Sequence, residues 1–528
     1  MELHLGPIEL AFVVLVWSTF LVYVARRFGI ADPILLVLGG VVLGFLFERV
    51  PDSPTFELEP DIVFLLFLPP ILFGAAYFTP IRDFRANARP ILLLAIGLVL
   101  FTTLVVGVVT KALVPDLPWA AAFALGAIVA PPDAVAATAV FQRLGVPRRI
   151  VTILEGESLI NDASALIAYR VAVAAVLTGA FSLVDAGVAF VTVGAGGIAI
   201  GLVVGRLVTM TMSRTADPTM EIIVSFIAPI AAYLPAEELG LSGVLATVVA
   251  GLMTGRRASR VLSPEARLMG EGSWAVVIFL INAFVFTAIG LQLPGILAGI
   301  VADHSVIELV VLGAGVSLAT IVSRIVWVFP ATYLPRLLPG NGRERQPRPP
   351  ARGVFIVSWA GMRGAVSLAA ALALPFDFPQ RDLILWLTFC VILATLVGQG
   401  LTLPFLIRRL GVLASSAPDA EEAHARLAAL EAGLRRLDDL EVDQPGHGDL
   451  LANLRASLDH EASHVWAGGE TTVADADRER LEHRFIRDSF INAQRDAVIR
   501  LRDRGIINDE TLRRIERDLD LEALRAGD

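Results

Sequence analysis

The sequence predicts an all-α polytopic membrane protein. It should have about 13 transmembrane helices in inverted six-helix repeats, with two interrupted crossing helices, and a helical cytoplasmic C-terminal domain. Three observations predict this. The 528 residues are 55% hydrophobic and 18% charged, with mean hydropathy +0.69, whereas a soluble domain carries about 25% charged residues. Between Ile8 and Arg409, long apolar runs alternate with short polar loops, and many reach the ~20 residues that cross a bilayer core as helix. Two of those runs, near Pro131 and Gly361, are broken in mid-span by proline or glycine.

Thirteen apolar segments follow in order: Ile8–Val24, Ile34–Phe47, Ile62–Phe78, Ile91–Leu113, Trp119–Val140, Ile150–Leu177, Phe181–Val208, Glu221–Leu234, Leu241–Gly255, Trp274–Leu291, Val306–Tyr333, Gly353–Pro375 and Leu383–Ile407. The start MELHLGPIEL has no basic n-region, so the first run reads as a retained span. Basic residues supply the orientation. Of 27 in residues 1–410, 21 fall on one side of the membrane if the N-terminus is outside, as the positive-inside rule requires. Only Arg49, Lys111 and Arg381 fall on the other side, and Arg170, Arg324 and Arg363 lie within spans. A twelve-span count would put one half out of phase. The expected topology is therefore multi-pass in the cell membrane, N-terminus outside and C-terminus cytoplasmic.

Residues 1–410 form the expected transmembrane domain and 411–528 a cytoplasmic tail. The tail has 26 acidic residues and 16 arginines, with leucine and isoleucine at helical spacing in DETLRRIERDLDLEALR. Two helical regions are expected, about Pro418–Leu440 and Ala474–Leu524. Five of the seven histidines lie there. They permit a pH sensor, although solvated histidines on a polar helix are the plainer account. One cysteine, Cys390, allows no disulfide framework.

A charge within the bilayer costs at least ~2.5–3.5 kcal/mol on insertion scales, so it needs a partner or a function. In Ala130-Pro131-Pro132-Asp133 of the fifth segment, two prolines remove backbone donors. The carbonyls they free are oxygen ligands beside the Asp133 carboxylate, the arrangement that broken helices use for ions. The sixth segment carries Glu155-Gly156-Glu157-Ser158-Leu159-Ile160-Asn161-Asp162. Glu157 with Asn161, and Ser158 with Asp162, are i,i+4 pairs on shared helix sides. Oxygen ligands suit a hard cation such as sodium, and no Cys or His is near for a soft metal. The twelfth segment carries Trp359-Ala360-Gly361-Met362-Arg363-Gly364. Its arginine needs a carboxylate, and Glu157 is the expected partner. The fifth and twelfth segments sit seven apart, which fits six spans, a linker and six spans of opposite orientation.

These segments resemble monovalent cation:proton antiporter family 1, the sodium/proton exchangers of bacterial type, through most of residues 1–410. The resemblance rests on FLPPILFGAAYF at 67–78, PPDAVAATAVF at 131–141, EGESLINDA at 155–163, LSGVLATVVAGLMTGRR at 241–257 and WAGMRGAVSLAAALALP at 359–375. The tail's RLRDRGIINDETLRRIERDLDLE is also similar to the cytoplasmic end of bacterial members. The resemblance implies that Asp162 carries the cation and the proton, with Ser158, Asp133 and the Pro132 carbonyl as further cation ligands. It implies that Glu157, Arg363 and Asn161 form a structural ion pair and network. Asn161 before Asp162 implies electroneutral exchange, where electrogenic relatives have two aspartates. It also implies a homodimer. The chain departs from the pattern at Gly74, where members often carry an acid, and at Pro132, where some carry threonine.

The expected function is secondary active exchange of Na+, with Li+ or K+ as further candidates, for H+. Burial disfavours the bare Asp162 charge, so a proton or a cation must neutralise it before the site can cross. No cofactor, enzymatic activity or nucleic-acid partner is expected; the partners are monovalent cations, protons and membrane lipid. A potassium-preferring or unselective cation/proton antiporter is the alternative within this class. A cation channel, or a membrane ion or pH sensor signalling through the tail, is the alternative outside it. No P-loop supports an ATP-driven pump.

Overall fold

Proline and glycine decide where the apolar runs bend and break. The computed structural model describes residues 7–49, 59–215, 217–301, 304–334 and 349–413, then 428–438 and scattered tail positions up to 515. Two compact units emerge, Met1–Ala414 and Ser415–Asp528. Among the described residues the first unit is helical, without strands. Its helices are α1 (Pro7–Phe28), α2 (Asp32–Glu48), α3 (Pro60–Phe78), α4 (Ala88–Leu113), α5a (Trp119–Val129) and α5b (Ala134–Leu144), and α6 (Arg148–Thr178). They continue as α7 (Leu183–Met212), α8 (Pro218–Glu238), α9 (Gly243–Val261), α10 (Pro264–Ile300), α11 (Val306–Tyr333), α12a (Ala351–Trp359) and α12b (Ala365–Leu372), and α13 (Arg381–Leu410).

Every apolar segment read from the sequence falls on these helices to within a few residues. Among the described residues, nine helices are long and apolar enough to cross a membrane: α3, α4, the two halves of α5 together, α6, α7, α8, α10, α11 and α13. Three of them contain a wide helical turn, Val63–Phe67 in α3, Leu93–Leu98 in α4 and Ala394–Gln399 in α13. In α3 the turn precedes Pro69-Pro70, which cannot donate to the preceding carbonyls. In the tail, residues 428–438 of the first expected helical region are helical. Residues 418–427, nearly all of Ala474–Leu524 and the five tail histidines lie outside the described residues.

Packing builds two main apolar clusters, and α10 contributes to both. One cluster, with Phe73, Met212, Ala232, Ala246, Ala250 and Trp274, joins α3, α7, α8, α9 and α10. A larger one, with Leu98, Leu125, Leu154, Val316, Ile356 and Ile392, joins α4, α5a, α6, α11, α12a and α13. Among the helices of the first cluster α7 lies very close to α9: a Cβ on Gly197 would sit 2.5 Å from the Ser242 carbonyl oxygen. Small residues make such contact possible where lipid supplies no hydrophobic drive. The other face of α7 is exposed and apolar, at Val184, Val191, Leu202 and Val203, as a lipid-facing helix requires. Leu159 and Ala163 of α6 meet Leu72 of α3, Tyr233 of α8 and Val248 of α9 in a separate apolar seam.

Candidate ion-binding site

The site begins with two helix breaks that cross. Pro131 and Pro132 cannot donate backbone hydrogen bonds, and α5a stops at Val129. Asp133 is extended, with φ −94° and ψ 124°, and caps α5b: its Oδ1 accepts from the Val135 N–H at 2.8 Å. In the twelfth segment α12a stops at Trp359 and α12b begins at Ala365. The backbone freed at each break is satisfied by a neighbouring segment. The Asp133 N–H donates to the Met362 carbonyl at 2.6 Å, and the Arg363 N–H donates to Thr395 Oγ1 at 3.0 Å. Non-helical backbone at membrane depth survives only where protein or water satisfies it, and here the twelfth-segment break serves Asp133 while α13 serves Arg363.

Four half-helix ends meet at this crossing, and two side chains match their dipoles. Arg363 Nε donates to the Val129 carbonyl at 2.9 Å, at the C-terminal end of α5a. Its Nη1 donates to the Gly361 carbonyl just beyond α12a. A cation therefore sits at two negative helix ends. Asp133 sits at the positive N-terminal end of α5b and against Gly364, the residue before α12b. Gly364 has no room for a side chain: a Cβ there would lie 2.9 Å from Asp133 Cβ and Cγ and closer still to Oδ2. Gly364→Ala should therefore displace Asp133 and reduce transport by roughly tenfold or more, since misplacement by about 1 Å can cost 10²-fold. Initial rates in reconstituted vesicles would check it; wild-type rates would show that Asp133 tolerates the shift.

The 31-residue helix α6 runs unbroken past the crossing and brings its polar side chains to it. Asn161 Nδ2 donates to the Pro132 carbonyl at 2.8 Å, so one lone pair of that expected ligand is already in use. Ser158 Oγ accepts from the Ala134 N–H at 3.4 Å. Asp162 is 7% exposed. Among the described residues its carboxylate receives no hydrogen bond and faces no cationic side chain, and it lies near enough to Asp133 to interact electrostatically. The structure thus brings together Asp162, Ser158, Asp133 and the Pro132 carbonyl. Two carboxylates, a hydroxyl and a carbonyl form an all-oxygen set.

The expected ion pair is corrected. Glu157 pairs with Arg324 of α11, not with Arg363: Oε1 accepts from Nη1 at 2.5 Å and Oε2 from Nη2 at 2.8 Å, with both side chains buried. Arg324 also donates from Nε and Nη2 to the Val357 carbonyl at 3.3 and 3.1 Å. Arg363 instead turns Nε and Nη1 to the carbonyls at the ends of α5a and α12a. Arg324 is the residue sequence reasoning misses. Its signal is visible, since an arginine inside a span requires an acid, but three span arginines compete and spacing along the chain does not rank them. The Gly74 position also lies elsewhere than its apparent absence of an acid suggests. A Cβ there would meet Ile278 and Trp274 of α10 at 2.7 and 3.3 Å, so it faces α10.

Comparison with known proteins supplies the family. The family model described as "Sodium/hydrogen exchanger, transmembrane" matches residues 13–409. An uncharacterised Na(+)/H(+) exchanger of Mycobacterium tuberculosis is 36% identical over 519 residues, 95% of this chain and 93% of the relative. A sodium, potassium, lithium and rubidium/H(+) antiporter of Bacillus subtilis is 32% identical over 509 residues, 92% of this chain and 74% of the relative. Among solved structures, a sodium proton antiporter of Methanocaldococcus jannaschii shares the fold with a TM-score of 0.62 at 20% identity, over 76% of this chain and 98% of that one. With the matched region spanning both helix breaks and the charged stretch of α6, the chain belongs to the transmembrane sodium/hydrogen exchanger family.

Proposed function

We propose that this cation/proton exchanger carries one Na+ or one H+ at a time on Asp162, by alternating access. The observation that supports it is a buried carboxylate without a hydrogen-bond donor or a cationic partner among the described residues, set beside Ser158 and Asp133. A bare charge in that position is costly. A proton removes the charge, and a cation with oxygen ligands offsets it. The two compete, and the empty site resists crossing. Exchange follows with one positive charge carried in each direction, which makes it electroneutral. The network through Glu157, Arg324, Arg363 and Asn161 positions α6 against the two breaks.

The proposed topology has thirteen spans, with the N-terminus outside and the C-terminus cytoplasmic. The matched breaks of the fifth and twelfth segments support inverted repeats. We assign residues 1–410 to exchange and 411–528 to a cytoplasmic helical domain, in a homodimer. The Bacillus relative's name covers four alkali cations, which favours a broad cation range as the second reading.

Proteoliposomes with a trapped pH dye test this. Na+, Li+ or K+ added in turn should change internal pH, and the three responses rank selectivity. Folded, reconstituted protein that responds to none would turn the assignment toward the channel or sensor reading.

A further inference from the structure

Arg170 is the span arginine that the ion site does not use. It lies on α6 eight residues beyond Asp162, about 12 Å further along the helix. Its Nη2 donates to Glu237 Oε2 at 2.5 Å, at the far end of α8. The seam between α6 and the α3, α8 and α9 helices is otherwise apolar, built from Leu159 and Ala163 against Leu72, Tyr233, Val244 and Val248. Among the described residues, Arg170–Glu237 is the one ion pair and the one side-chain hydrogen bond that crosses from α6 to these helices. Glu237 is itself held, because its Oε1 accepts from the Gly243 N–H at 3.0 Å across the α8–α9 turn. Asp61 of α3 and Arg381 of α13 are the other charges felt in this neighbourhood.

An apolar seam can slide without breaking directional bonds, whereas one ion pair at its end makes a discrete stop. We propose that Arg170–Glu237 is a latch holding α6 against α8 while Asp162 is closed toward that end of the bundle, which is the outer end in the proposed topology. Opening to that side requires the pair to part, with Glu237 as the fixed half and Arg170 as the half that moves with Asp162. The inference rests on the alternating-access reading above. Arg170 and Glu237 are positioning residues: they act through the placement of α6 and touch no cargo.

The test uses Arg170→Cys with Glu237→Cys in a Cys390→Ala background, reconstituted and joined by a cleavable bifunctional thiol reagent. Exchange should stop when the pair is bridged and return when the linker is cut; full-rate exchange by bridged protein overturns the latch. Separately, Arg170→Gln and Glu237→Gln should each shift the apparent cation affinity measured from the outer side by roughly two- to fivefold, as a partly exposed ion pair allows. The charge-swapped double variant should restore it. Wild-type affinity in both neutral variants overturns the proposal. Were the unbridged protein without exchange, the exchange reading would be at fault instead. The rate of bridging would still decide the latch, because Na+ should change it, and equal rates with and without Na+ overturn it.

Discussion

Asp162→Asn should bring cation-driven proton flux to background for Na+, Li+ and K+ alike, in protein that folds as well as wild type. Asparagine matches aspartate in shape but cannot take up a proton at neutral pH and offers a cation only a dipole. Both ligands lose their anchor together. The stability half of the expectation follows from the surroundings. The Asp162 carboxylate accepts no hydrogen bond among the described residues, and its electrostatic neighbour is another acid, Asp133. Removing the charge therefore breaks no bond and relieves a repulsion, so thermal unfolding in detergent should show a midpoint equal to or above that of wild type. Most other changes in this network would act on folding and transport together. Retained exchange in the asparagine variant would remove Asp162 from the transport step. Lost exchange with a lowered midpoint would mean that its contribution is structural.

What the sequence makes legible here is what violates a rule of the bilayer. Pro131-Pro132 and Gly361 through Gly364 stand out because they weaken helix in mid-span beside a charged residue, and the structure breaks α5 and α12 at those positions. Asp133, Glu157 and Asp162 stand out because charge is costly in lipid, and all three lie at or beside the crossing. What stays hidden depends on rotation and register between helices distant in the chain. Arg324 is 167 residues from Glu157, and only the azimuth of α11 decides that it, and not Arg363, meets that acid. Arg363 has its own claim on the carbonyls of Val129 and Gly361. The Val129 acceptor is reached only once the breaks have crossed, so no span-by-span reading exposes it. The same holds for Gly74, which reads as a lost ligand until Trp274 and Ile278 are seen against it. The wide turns of α3, α4 and α13 leave still less trace, since they shift the hydrogen-bonding register without changing the apolar pattern. One of them carries Thr395, which receives the Arg363 N–H.

The corrected pairing has a large consequence for stability. Arg324→Met should cost about 3–5 kcal/mol, the usual loss when one partner of a buried ion pair is removed. Glu157 would then be left buried without its hydrogen-bonded cation, since Arg363, although near, makes no hydrogen bond to it. The Val357 carbonyl would also lose its donors. Replacing both partners, Glu157→Leu with Arg324→Met, removes the orphaned charge along with its cation. That double variant should recover most of the loss and retain only the deficit of the unpaired Val357 carbonyl, about 1–3 kcal/mol. A double-mutant cycle read by denaturant unfolding in detergent measures the coupling directly. A parallel cycle pairing Glu157 with Arg363 should give the smaller coupling. If that second cycle gives the larger value, Glu157 answers to Arg363 after all and the geometry described for α11 is wrong. Transport should separate the two arginines as well. Arg324 anchors the last turn of α12a through Val357, whereas Arg363 neutralises the crossing itself. The double variant at Glu157 and Arg324 should therefore keep a measurable fraction of exchange, since it leaves Asp162, Asp133 and Arg363 in place.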